Sequence, residues 1–91
     1  MDAEAVRLVI AAYREKFAEL QIEKSPFPRG QFPQEPAERL GHCFWMLDEI
    51  ERYLGEDRIE KAMRWLGFVQ GCLWSHGIFS VDDFKSHNHG E

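Results

Sequence analysis

Residues 54–76 read LGEDRIEKAMRWLGFVQGCLWSH, and the fold turns on how this stretch is read. Ile59, Ala62, Leu66, Val69 and Leu73 recur at helical spacing, which predicts a helix from Arg58 to His76 with an apolar stripe. Trp65, Phe68 and Cys72 form a second stripe beside the first, and together they exceed what one partner helix covers. Gly55 reads as the C-terminal stop of a preceding helix and Asp57 as the N-cap of this one. A connection so short makes the two helices antiparallel neighbours. Gly67 and Gly71, four residues apart, share a face and cut a notch in it, although glycine costs about 1 kcal/mol relative to alanine inside a helix. Such a notch suits the close approach of another helix or of a flat ligand, and Trp74 lies near the same line.

Upstream, Pro36 opens a helix over 36–54 whose inner face is Leu40, Cys43, Phe44, Leu47, Ile50 and Leu54. Before it, SPFPRGQFPQEP (25–36) carries all four prolines, a connection pinned to the helices by Phe27 and Phe32. An N-terminal helix is predicted over 3–23, with Val6, Ile10, Tyr13, Phe17 and Leu20 in a heptad seam, Asp2 as cap and Glu4 at its positive end. Past Gly77, Ser80 and Asp83 cap a short helix at 81–87, Phe79 staples to Phe84, and 88–91 form a frayed tail. The expectation is a single all-α domain over 1–91: an N-terminal helix, a Pro-rich connection, an antiparallel helical hairpin and a short C-terminal helix.

A chain of 91 residues buries only about 60–65% of its unfolded surface. Yet 44% of the residues are hydrophobic, including seven Phe and three Trp. That excess predicts a helical homo-oligomer with Val6, Ile10, Phe17, Trp65, Gly67 and Gly71 in the interface. No run reaches the roughly 18 apolar residues of a membrane span, and the acidic N-terminus MDAEAVRLV lacks the basic start of a signal peptide. A cytoplasmic location follows as the expectation, with Cys43 and Cys72 as reduced, buried thiols. The net charge of −5 argues against nonspecific nucleic-acid binding but not against a small anion held by a few local cations.

Signals of enzymatic chemistry are weak. Threonine is absent, and there is no nucleophile elbow, Walker loop or zinc helix. His42 and Cys43 are adjacent in a helix and so point about 100° apart. His76, His87 and His89 lack the spacing of a metal site. No catalytic residue, metal or cofactor is assigned. Cations near aromatics are more suggestive. Arg58, Lys61 and Arg64 form a ridge beside Trp65, and Lys24 and Arg29 flank Phe27. Arginine suits phosphate and a flat ring suits a nucleobase, while surface ion pairing is the competing reading of each cation.

The block RIEKAMRWLGFVQGCLWSHGI resembles small proteins encoded by tailed phages and prophages. More weakly, 36–78 resemble the helical-hairpin domain of phage nucleotide sponges, the anti-CBASS and anti-Thoeris proteins, at Arg58, Glu60, Lys61 and Trp74. The Gly67/Gly71 notch and the extra residue in RIEK depart from that pattern. The resemblance implies a phage protein acting in the host bacterial cytoplasm. It would bind cyclic oligonucleotide alarm signals between subunits without cleaving them. Under it, Tyr13, Lys24, Phe27, Arg29, Arg58, Lys61, Arg64 and Trp74 are the ligand-binding candidates. The alternative is an anti-CRISPR-like inhibitor that binds a host defence or transcription complex through Asp48, Glu49, Glu51 and Glu56.

Overall fold

The structure, a computed structural model, describes residues 1–88 and is all-helical, with no strand among them. The helices are α1 (Ala3–Glu19), α2 (Pro36–Gly55), α3 (Ile59–Ser75) and α4 (Val81–Asn88). No helix of the described residues is long and apolar enough to cross a membrane.

The starts follow the expected chemistry. Asp2 accepts the Ala5 N–H at 2.9 Å. Pro36 opens α2 behind a capping box made by Glu35 and Glu38. Ser80 and Asp83 exchange reciprocal bonds of 2.8 and 3.1 Å ahead of α4, with the Phe79 and Phe84 rings 6.0 Å apart as the staple.

Two ends differ from expectation. α1 stops at Glu19 because Gln21 turns left-handed (φ 59°), and the Gln21 and Ile22 N–H groups return to the Ala18 and Phe17 carbonyls. Gly55 lies inside α2, and Asp57 (φ 59°) is the residue that reverses the chain rather than the cap of α3. The Asp57 and Arg58 N–H groups bond the Leu54 and Tyr53 carbonyls. Gly77 (φ 70°) ends α3 in the same way. All three are Schellman closures, and two use a residue other than glycine, which composition does not flag.

The core is made within one copy of the chain. Val6, Ile10 and Phe17, expected at a subunit interface, are each 0% exposed and pack inside the chain's own core. They are unavailable to a second copy, because the α1 seam faces α2 rather than outward. Val9 joins that seam, whereas Leu20 is exposed. Phe17 stacks on Phe44 at 5.1 Å. α2 and α3 share the most extensive contact of any helix pair. Cys43 meets Cys72, Trp45 meets Trp65, and Tyr53 meets Lys61.

One glycine is required by close approach. The connection leaving α1 crosses α2 at Gly41, where the Ser25 N–H donates to the Gly41 carbonyl at 3.1 Å. A Cβ on Gly41 would sit 2.5 Å from the Glu23 carbonyl oxygen, whereas one on Gly55 would meet nothing. Gly41→Ala must therefore push backbone aside, at a cost of about 1–3 kcal/mol. It is expected to lower the melting temperature by roughly 5–20 °C in a thermal melt. Gly55→Ala should leave it unchanged or raised.

Candidate functional site

The Pro-rich connection is fastened over α2 at both ends. The Phe27 N–H donates to His42 Nδ1 at 2.9 Å, and Arg39 donates to the Pro33 and Gln34 carbonyls. Phe27 and Arg29 are thereby held against a groove whose walls are α2 and α3. The resulting cleft, about 730 Å³, is lined by Phe27 and Arg29 from the connection, by His42, Trp45, Met46, Glu49 and Tyr53 from α2, and by Lys61, Arg64, Trp65 and Phe68 from α3. Each wall follows helical spacing, so one face of each helix supplies it.

Five Phe, Tyr and Trp rings, the His42 imidazole and three cations meet there. Trp65 packs edge-on to Tyr53 at 5.1 Å and lies 6.4 Å from Trp45. Lys61 Nζ sits 4.6 Å from the Tyr53 ring centre. Glu49 is the one carboxylate in the lining, and it is engaged by Arg52 at 2.6 Å.

The cations that hold no carboxylate cluster at this cleft, where three of them meet. Arg14, Lys16, Lys24, Arg52 and Arg58 all hold carboxylates. Arg39 is occupied by carbonyls. Among the other cations of the described residues, Arg7, Arg29, Lys61, Arg64 and Lys85 hold no carboxylate, and three of these five, Arg29, Lys61 and Arg64, line the cleft. Lys61 and Arg64 also border a second recess of about 400 Å³ at the start of α3, with Asp57, Arg58, Ile59 and Glu60. The N-terminus of α3 has no side-chain cap there.

His42 is neutral in this arrangement. Nδ1 must be unprotonated to accept the Phe27 N–H, which leaves the proton on Nε2, and burial holds the imidazole below its usual value of 6.5. The sign of the pH effect follows. As pH falls below about 6.5 the unfolded chain takes up the proton first, so stability is full above that pH and declines through the lower folded value. Protonation also turns Nδ1 into a donor facing a donor, which releases Phe27. On acidification from pH 7 to 5, the protection of the Phe27 amide relative to its intrinsic exchange rate should fall, and the melting temperature with it. In His42→Asn, whose carbonyl oxygen can replace Nδ1 as acceptor, both changes should be smaller.

The cleft thus brings together Phe27, Arg29, Lys61 and Arg64 of the ligand-binding candidates, and Trp65 of the interface candidates. The others lie elsewhere. Tyr13 is 1% exposed and lies outside the cleft, at the floor of a separate, smaller recess of about 240 Å³ beside Leu8 and Val9; its hydroxyl shares a hydrogen bond of 2.8 Å with His87 Nδ1 and accepts from Gln70 Nε2 at 3.1 Å. Burial pushes that phenol up to about 12. Lys24 is paired with Asp48 at 2.8 Å and lies over the Phe44 ring. Arg58 pairs with Glu56 at 3.6 Å beside the second recess. Trp74 is 58% exposed and outside the cleft.

Gly67 and Gly71 point into open space, with nothing within 4 Å of an added Cβ on either. The notch is therefore unfilled by the chain's own helices. His76 bonds the Cys72 carbonyl and His87 bonds Tyr13, so the two are engaged at separate places, while His89 falls outside the described residues. Sequence reading missed His42, Trp45, Met46, Glu49, Tyr53 and Phe68 as cleft residues, although His42, Met46, Glu49 and Tyr53 follow one helix line. It also missed buried Gln70, whose amide holds Tyr13 and Asn88 and so docks α4.

No protein-family model, curated protein or solved structure matches this chain.

Proposed function

We propose that this chain is a non-enzymatic phage counter-defence protein that sequesters a cyclic oligonucleotide immune signal in pockets completed by a second copy. The observation carrying this reading is the convergence of Arg29, Lys61 and Arg64, all without carboxylate partners, on a cleft walled by Trp45, Trp65 and Phe68 in a chain of net charge −5. Free cations supply charge-assisted donors to phosphate, and the rings supply faces for bases. A volume of about 730 Å³ lies within the usual range of small-molecule sites. Binding without cleavage fits the lining. It contains no serine or cysteine nucleophile, Glu49 is engaged by Arg52, and His42 Nδ1 is engaged by Phe27.

The oligomer is proposed to form through the outer face of α3. Arg64 stands three residues before Gly67 and Trp74 three after Gly71, so the face reads alike from either end. A two-fold antiparallel crossing on the open notch therefore brings Arg64 opposite Trp74 of the partner subunit, a cation–ring pairing at each end. Exposed Phe68 and Trp74 gain cover in that arrangement. Trp74, remote from the cleft within one copy, reaches the edge of the other copy's cleft. A helical hairpin of α2 and α3 is what the resemblance at Arg58, Glu60, Lys61 and Trp74 implies.

The protein-partner reading has less support. Asp48, Glu49, Glu51 and Glu56 all hold arginine or lysine partners, so the acidic face is largely neutralised.

A thermal-shift panel of cyclic di- and trinucleotides tests the proposal. A ligand at 100 times its dissociation constant adds about 2.7 kcal/mol, which is roughly 10 °C or more for a domain this small. Intact nucleotide should be recovered after heat denaturation. Absence of any shift would overturn nucleotide sequestration in favour of a protein partner, and recovery of a cleaved product would make the protein an enzyme.

A further inference from the structure

α2 and α3 are joined covalently at one end by the turn at 56–58, and the cleft lies between their facing sides. At the other end the two cysteines of the chain meet. Cys43 of α2 and Cys72 of α3 are neighbours across the helix contact. Neither thiol has a part in the ligand cleft, and both are free.

The two differ in ways that assign distinct roles. Cys43 is 1% exposed, so a solute reaches it poorly. Cys72 is half-buried, with its sulfur 3.7 Å from His76 Nδ1. That ring is fixed: Nδ1–H donates to the Cys72 carbonyl at 2.8 Å, so an N–H is held at the edge of the sulfur. Nε2 of His76 is buried without a partner among the described residues, so the ring is oriented through Nδ1, which the Ser75 hydroxyl also approaches at 3.3 Å. The neighbouring Cys43, then His76 and Arg39, hold the Cys72 thiol below its ordinary range, while the same neighbour and burial raise Cys43. A half-accessible thiolate backed by a shielded thiol is the arrangement of an attacking and a resolving cysteine.

We propose that Cys72 is a hydroperoxide-reactive thiol and that Cys43 resolves it into an intrachain disulfide, closing the open end of the α2–α3 pair. In the first step the Cys72 thiolate attacks the peroxide. An S–O bond forms, the O–O bond breaks, and the departing hydroxide takes a proton to leave as water. Cys72 is then a sulfenic acid. In the second step the Cys43 sulfur attacks the Cys72 sulfur, the S–S bond forms, and hydroxide leaves with the Cys43 proton as a second water. Two thiols lose two electrons and hydrogen peroxide gains them. With the turn at one end and the disulfide at the other, the cleft walls are tied on both sides.

The test is intact mass under non-reducing conditions after exposure of the full chain to hydrogen peroxide. The wild-type chain should lose the mass of two hydrogens and stay a single chain. Cys43→Ser and Cys43→Ala, checked for helix content by circular dichroism, should instead gain oxygen and react with dimedone. Cys72→Ser should stay unmodified. In the reduced wild-type protein at neutral pH, iodoacetamide should label Cys72 at least about tenfold faster than Cys43. Oxygen gain in the wild type without hydrogen loss, a disulfide-linked pair of chains, equal labelling of the two cysteines, or oxidation of Cys72→Ser at the wild-type rate would each overturn the proposal. None of these outcomes depends on whether a nucleotide binds.

Discussion

Arg64→Glu should weaken cyclic-nucleotide binding by about a hundredfold while leaving the melting temperature of the free protein unchanged. The two halves of this result have separate causes. A hydrogen bond to a charged group contributes about 1.5–3 kcal/mol, and a carboxylate in its place adds repulsion from the phosphate. A loss near 3 kcal/mol is roughly two powers of ten in the dissociation constant. Stability should hold because the exposed Arg64 side chain has no carboxylate partner to lose among the described residues. Arg7→Glu is the matched control: Arg7 is likewise exposed and without an ion pair, but it lies on α1 outside the cleft. Isothermal titration in low and high salt would separate them, since only Arg64→Glu should flatten the salt dependence. Equal weakening by both variants would mean that overall charge, and not the cleft, drives binding.

The parts of this fold legible from sequence are those set by local chemistry. Asp2, Pro36, Ser80 with Asp83, and Gly77 each act through neighbours within a few residues, and each stands where its residue type suggests. Gln21 and Asp57 were illegible because a left-handed turn at a residue other than glycine depends on what packs around it, and composition carries no mark of that. The Tyr13–Gln70–Asn88 network joins α1, α3 and α4, so no window of sequence contains it. The candidate site divides along the same line. The basic ridge at Lys61 and Arg64 is visible as spacing. Which cations remain free is not visible, because it is decided by partners far along the chain. Lys24 was an attractive ligand residue until Asp48, 24 residues away, claimed its charge. Tyr13 has the chemistry of a stacking residue, but its place in the α1 seam buries it.

Gly71→Leu is expected to make each copy of the chain more stable and to abolish the assembly. Within one copy the substitution is unopposed, since an added Cβ meets nothing within 4 Å, and replacing glycine inside a helix gains up to about 1 kcal/mol. The opposite effect appears only if a second α3 lies in the notch. There the leucine side chain would stand between two backbones that touch through glycine, and the close crossing could not form. Light scattering at micromolar concentration should then report a 10.7 kDa particle for the variant and a multiple of it for the wild type. Gly67→Leu should behave identically, because a two-fold crossing sets Gly67 of one copy against Gly71 of the other. The nucleotide affinity of both variants should fall as well, through loss of Trp74 of the partner subunit from the edge of the cleft. A wild-type chain that scatters as a single copy removes the shared pocket and leaves the cleft of one chain to bind alone. A variant that melts higher yet keeps the wild-type mass would place the assembly on another face, and Phe68 and Trp74 would then be exposed without a partner.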